Sequence, residues 1–158
     1  LVESIKILQN GSSDFQLAVF GNAAEGSLCQ FDFPVHYFGH LHDDISLRVL
    51  YSAVDALIIP SRQEAFGQVA SEAQACGTPV VAFNSTGLKD VVEHKRTGYL
   101  AEAFDVNDLA EGLKWVCKSD NQQHLSQEAR LRAKKIFSSE VVVSQYEKIY
   151  RTVLSNNC

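Results

Sequence analysis

Four short apolar runs constrain this chain most, at residues 15–20, 34–38, 56–59 and 78–83, each followed by glycine or another turn residue: Gly21, Gly39, Pro60-Ser61 and Asn84 to Gly87. Runs of this length without polar alternation read as strands buried on both faces. The segments between them are too long for hairpins and suit crossovers, and two are themselves helical in pattern. After His42, Asp43 and Asp44, a helix-start cluster, Ile45, Val49, Leu50 and Val54 define one apolar helix face leading to Asp55. Residues 66–76 form an alanine-rich helical pattern closed by Gly77. Strand and helix in alternation call for a parallel sheet covered on both faces, a doubly wound α/β domain.

The flanks are helical. Leu1, Ile5 and Leu8 recur at helical spacing ahead of Gly11, and residues 105–118, 121–137 and 140–154 read as three consecutive helices packing as a C-terminal layer. On the second flank Trp115 is expected to pack near Leu109 and Leu113. The stripe Val142, Tyr146 and Ile149 is expected to cover the sheet. The 158 residues suffice for one domain that buries about 70% of its extended surface without disulfides or metal. Fourteen basic against nineteen acidic residues give −5, the wrong sign for a phosphate-neutralising nucleic-acid binder. No apolar run reaches bilayer length and no signal sequence opens the chain, so a cytoplasmic location is expected. Cys29, Cys76, Cys117 and Cys158 are scattered, without the spacing of a zinc site, and read as thiols of a reducing compartment.

In an open parallel sheet, ligands bind beyond the carboxyl ends of the strands, so the four loops, Gly21-Asn22 and Gly39-His40 among them, should converge on one cleft. The third loop is the most informative. Gly67 stands at the start of the following helix, where unpaired amides and the positive dipole end favour an anion; equally, a glycine there can serve to pack the helix on the sheet. No Walker sequence and no G-x-G-x-x-G is present. On one continuous helix, Glu64 and Glu72 would stand about 12 Å apart along the axis, beyond the roughly 5 to 9.5 Å of paired glycosidase carboxylates. Glu64 is therefore expected in the loop facing the cleft and Glu72 about a turn and a half into the helix, each touching a different part of one extended ligand. A carboxylate accepts two hydrogen bonds from a vicinal diol such as a ribose or hexose. His36 and His40 have no serine or cysteine nucleophile to serve and are read as structural groups. Arg62 is expected to point into solvent.

Residues 60–82, PSRQEAFGQVASEAQACGTPVVA, resemble the signature of the family 4 (group 1) glycosyltransferases, E-x7-E followed by a G-x-P-V-V strand. Supporting segments follow in that family's order: Gly21, Phe38-Gly39, Asp55, Gly87 and residues 97–100. The resemblance spans nearly the whole chain. It implies that residues 1–158 are the C-terminal, nucleotide-sugar-binding, Rossmann-like half of a retaining GT-B enzyme, facing an N-terminal acceptor domain across the catalytic cleft. By position, Glu72 would hold the ribose hydroxyls, the amides of Phe66, Gly67, Gln68 and Val69 would meet the diphosphate, and Gly39 and His40 would border the base. Glu64 would be the catalytic residue, orienting the donor sugar or stabilising positive charge at its anomeric carbon without acting as a nucleophile. The substrate is a nucleoside-diphosphate sugar, with no cofactor and no metal. The partners are that donor and the acceptor domain, with no nucleic acid; any membrane-surface association belongs to the missing half.

Two departures stand out. The family's earlier strand and its Arg/Lys loop, which clamps the diphosphate, have no counterpart here, so weak donor binding and no transfer are expected of the chain alone. In the loop NSTGLKD, residues 84–90, Thr86 and Asp90 replace a glycine and a Glu of the family pattern. The rival readings are an epimerase or phosphorylase half on the same scaffold, and a sugar-nucleotide-sensing or signalling module without transfer activity. A phosphorylated receiver would need an acidic cluster at a strand end, which Ile59-Pro60 does not offer.

Overall fold

A computed structural model describes residues 1–9, 15–21 and 33–155. The elements run α1 (Val2–Gln9), β1 (Leu17–Val19), β2 (Val35–Tyr37), α2 (Asp44–Ala53), β3 (Leu57–Ile59), α3 (Gln68–Ala75), β4 (Val80–Phe83), α4 (Leu88–Val91), β5 (Gly98–Ala101), α5 (Val106–Val116), α6 (Ser119–Phe137) and α7 (Ser139–Ser155). All strand pairs are parallel: β1 with β2, and β3–β4–β5 in that order. The four runs read as strands all contain one. The α/β fold with parallel sheets and C-terminal helices is as expected, whereas β5 and the one-turn α4 are additions that the apolar pattern did not reveal. Gly11, Asn22, Cys29 and Cys158 lie outside the described residues; Cys76 and Cys117 are free thiols.

Alternation along β3 and β4 builds two cores. Leu57, Ile59, Val80 and Ala82 face one side, where Tyr51 of α2, Ala70 and Ala73 of α3, and Leu88 and Val91 of α4 join them. Val81 and Phe83 face the other, against Leu109, Leu113 and Val116 of α5, with Ile58 and Trp115 partly buried beside them. A strand buried on both faces has no use for polar alternation, which is why these runs are uniformly apolar. Asp105 starts α5 by accepting from the amides of Asn107 and Asp108 at 2.8 and 3.2 Å. In α6, Leu125, Ala129 and Ala133 are buried at four-residue spacing, and this stripe lets the helix lie along α3.

Three expectations are corrected. First, of the expected α2 face Leu50 is buried and Val54 half-buried, but Ile45 and Val49 are 77% and 62% exposed, and Tyr51 is buried in their place with Leu47 partly covered. The inward stripe is 47, 50 and 51, set by where α2 meets α3 and not by the most apolar residues. Second, β2 is not buried: His36 and Tyr37 are exposed, and its main described neighbour is β1. Third, α7 does not cover the sheet. It buries no residue, touches α6, and leaves Tyr146 and Ile149 each 56% exposed.

The short α4 is held from α6. Arg132 donates to the carbonyls of Asp90 and Val91 at 2.8 and 2.9 Å and pairs with Glu93, a cationic cap on the C-terminal end of that turn. Because Leu88 and Val91 of α4 back the start of α3, this cap reaches the region where the sequence places its candidate residues.

Candidate donor site

The loop from β3 to α3 carries Glu64, Phe66 and Gly67. Gly67 is the residue preceding α3 and adopts φ 91° and ψ 47°. A Cβ there would stand 3.1 Å from Leu88 Cδ2, so both the left-handed backbone and the close helix select glycine. Its contact is with α4, not with the sheet. The first intrahelical bond is donated by the Ser71 amide to the Gly67 carbonyl at 3.1 Å, and no side chain caps the helix. Among the described residues, the amides of Phe66, Gly67, Gln68 and Val69 therefore donate to no protein acceptor. Gly67 is buried, while Gln68 and Val69 are exposed, so this cluster of free donors opens at the surface. The Phe66 ring packs edge-on against Phe137 at the end of α6, 5.5 Å between centroids.

Glu64 lies in the loop and Glu72 within α3, so the two do not share one helix. Glu72 accepts from the Tyr51 hydroxyl at 3.1 Å through Oε2, leaving its other oxygen without a protein partner among the described residues. Burial, and after it the Glu72 carboxylate, hold the Tyr51 phenol well above its ordinary range. The folded chain keeps that proton more tightly than the unfolded one, so the linked stability is intact below about pH 10 and falls as pH rises from there. The Tyr51 ring in turn meets Phe20, at the end of β1, edge-on at 5.8 Å. Sequence reasoning missed Tyr51; its signal was the spacing of 47, 50 and 51 on one helix face.

The strand-end loops meet in two pairs. The Gly21 amide donates to the Gly39 carbonyl at 2.8 Å, joining the loops after β1 and β2. The Glu64 amide donates to Thr86 Oγ1 at 2.9 Å and the Gly87 amide to the Glu64 carbonyl at 3.0 Å, joining those after β3 and β4. The Phe20–Tyr51–Glu72 chain bridges the first pair to α3. His40 is exposed with its ring 4.3 Å from that of His42, and no described contact joins it to either glutamate. His36 bonds to Gln16 Oε1 at 2.8 Å. Arg62 is exposed, as expected, with its guanidinium over the Phe104 ring, 5.2 Å from the centroid. Asp90 contributes backbone, accepting from Arg132 through its carbonyl. Among the described residues no three His, Cys, Asp or Glu side chains gather as a metal-binding group, and no helix is long and apolar enough to cross a membrane.

Free amides at a helix start, two carboxylates with open oxygens and a parallel α/β frame make a class of domain suited to an anionic ligand bearing hydroxyls. The family model described as glycosyl transferases group 1 matches residues 1–132, and the chain belongs to that family. It is 28% identical to the capsular polysaccharide biosynthesis glycosyltransferase CapM of Staphylococcus aureus, over 99% of this chain and 43% of that protein. It is 35% identical to N-acetyl-alpha-D-glucosaminyl L-malate synthase of Bacillus anthracis, over 68% of this chain and 29% of that one. The chain thus spans less than half the length of these relatives. Among solved structures, sucrose-phosphate synthase of Thermosynechococcus elongatus superposes with a TM-score of 0.76 at 27% identity, covering 98% of this chain and 42% of that one. Anabaena HepE, crystallised with UDP and glucose, superposes at 0.74 with 24% identity over 98% of this chain and 44% of that one. These neighbours are GT-B glycosyltransferases, and the fold is theirs.

Proposed function

We propose that this chain is the C-terminal donor-binding half of a retaining, family 4 hexosyltransferase that takes its sugar from a nucleoside diphosphate and works against an N-terminal acceptor domain in the cytoplasm. The observation that carries the reading is the set of free amides at residues 66–69 flanked by the open carboxylates of Glu64 and Glu72. The presence of UDP and glucose in HepE supports such a donor, and CapM's role in capsular polysaccharide biosynthesis is consistent with a glycan acceptor.

In this reading the diphosphate rests on the four amides and Glu72 accepts from the ribose hydroxyls through the oxygen that Tyr51 leaves open. Gly39 and His40 border the base. Glu64 lies on the sugar side, where its charge stabilises the positive charge that develops at the anomeric carbon as the bond to the diphosphate breaks. A carboxylate beside a diphosphate is repelled by it, so the sugar must lie between them. No metal enters this scheme. The exposed stripe of α7 is assigned to the acceptor domain, and on its own the chain binds donor weakly and transfers nothing.

The test uses the protein in which this domain is joined to its acceptor half. Glu64→Ala is expected to lower kcat for glycosyl transfer roughly a hundred- to a thousandfold, the scale of removing one charge-stabilising group, while UDP affinity stays within about threefold. A variant that transfers at the wild-type rate would remove Glu64 from the reaction, and a wild-type protein that binds donor but never transfers would make the domain a sensor.

A further inference from the structure

Thr86 has a backbone conformation that a β-branched residue rarely adopts. Its φ is 45°, in the left-handed region, in a loop where the next residue is glycine. Such a conformation persists only where surrounding contacts enforce it. The two hydrogen bonds that tie this turn to the β3 loop both run to Glu64: the Glu64 amide donates to Thr86 Oγ1 at 2.9 Å, and the Gly87 amide donates to the Glu64 carbonyl at 3.0 Å. Both backbone groups of Glu64 are thus fixed by two consecutive residues of the β4 loop. The Glu64 carboxylate, by contrast, has no partner among the described residues. The two hydrogen bonds that hold the Glu64 backbone come from the turn opposite and not from its own loop.

We infer that Thr86 is a positioning residue, whose hydroxyl, held out by a left-handed backbone, fixes the Glu64 amide and so sets the point from which the Glu64 carboxylate enters the cleft. The inference rests on the role proposed for Glu64. A carboxylate that must sit beside one carbon of a sugar tolerates little displacement, since misplacement by about 1 Å can cost a hundredfold in rate. Thr86 itself touches no substrate in this scheme. Its effect therefore falls on kcat and not on donor binding.

Three variants of the protein joined to its acceptor half, with UDP-glucose as the first donor probe and UDP-N-acetylglucosamine as the second, test it. Thr86→Gly relieves the backbone but deletes the hydroxyl; it is expected to lower kcat about tenfold or more, with KM for donor within about twofold and Tm equal to or above wild type. Thr86→Ser restores the hydroxyl and is expected to recover most of the lost rate. In the amide spectrum, the Glu64 signal should move and lose exchange protection in Thr86→Gly and return toward wild type in Thr86→Ser. Glu64→Ala is the third variant. If it slows transfer while Thr86→Gly remains as fast as wild type, the positioning role is overturned and the function stands. If Glu64→Ala is itself at full speed, the functional reading fails instead. A Thr86→Gly protein that does not fold would also contradict the inference, because it would make the residue a structural clasp.

Discussion

Replacing Glu72 with alanine is expected to weaken the binding of a nucleoside diphosphate to this domain by roughly ten- to a hundredfold, the equivalent of about 1.5–3 kcal/mol for hydrogen bonds to a charged acceptor. The expectation follows from what surrounds the carboxylate. One oxygen accepts from Tyr51, a residue only 2% exposed, and the other is open. A group held on one side by a buried phenol and free on the other is pre-oriented, so little entropy is lost when a ribose arrives. The same substitution strands the Tyr51 hydroxyl and is expected to lower stability by about 1 kcal/mol, read as a shift in urea midpoint. Tyr51→Phe separates the two effects. It removes the same internal bond but leaves the carboxylate, and its diphosphate affinity should stay within about threefold of wild type. Calorimetric titration with UDP, GDP and ADP makes the comparison, and equal affinities for wild type and Glu72→Ala would remove Glu72 from the site.

Gly87→Ala is expected to be the most damaging small substitution in the region, costing about 2–3 kcal/mol and abolishing measurable donor binding. Backbone conformation is not the reason, since Gly87 has φ −66° and ψ −19°, which alanine adopts readily. The reason is space. A Cβ there would stand 2.7 Å from the Ala65 carbonyl oxygen and 2.7 Å from Phe66 Cα. Both are backbone atoms that cannot swing aside as a flexible side chain can. The loops after β3 and β4 would have to part, breaking the bond from the Gly87 amide to the Glu64 carbonyl and displacing the amides at 66 and 67. The neighbouring Asn84, which is exposed, serves as control, and Asn84→Ala should change stability by less than about 0.5 kcal/mol. Chemical denaturation and UDP titration of both variants provide the measurement.

How far the sequence foretold this arrangement depended on the range of the interactions involved. β3 and β4 were legible because each is buried on both faces and so is written as an uninterrupted apolar run. β5, with Gly98 at its start and Leu100 and Tyr99 only partly buried, carries no such run and was not read as a strand. The positions of Glu64 and Glu72 relative to α3 were legible from their spacing and from Gly67 between them. The partners of Tyr51 and Thr86 were not: the first meets Glu72 across 21 residues and the second meets Glu64 across 22, and helix periodicity, which marks the face on which Tyr51 lies, does not say what that face meets. The apolar faces failed for a related reason. Ile45 and Val49 on α2 and Tyr146 and Ile149 on α7 are apolar yet exposed, because hydrophobicity marks what can be buried and only the packing of neighbouring elements decides what is.

The central claim is that a sugar nucleotide's diphosphate lies on the amino end of α3. It is tested most directly by titrating the isotopically labelled chain with UDP, and in parallel with GDP and ADP, while following its backbone amides. The account predicts that the Phe66, Gly67, Gln68 and Val69 signals shift most and saturate together, with Glu72 following. Saturable shifts confined to other parts of the domain, with these four amides unmoved, would contradict it.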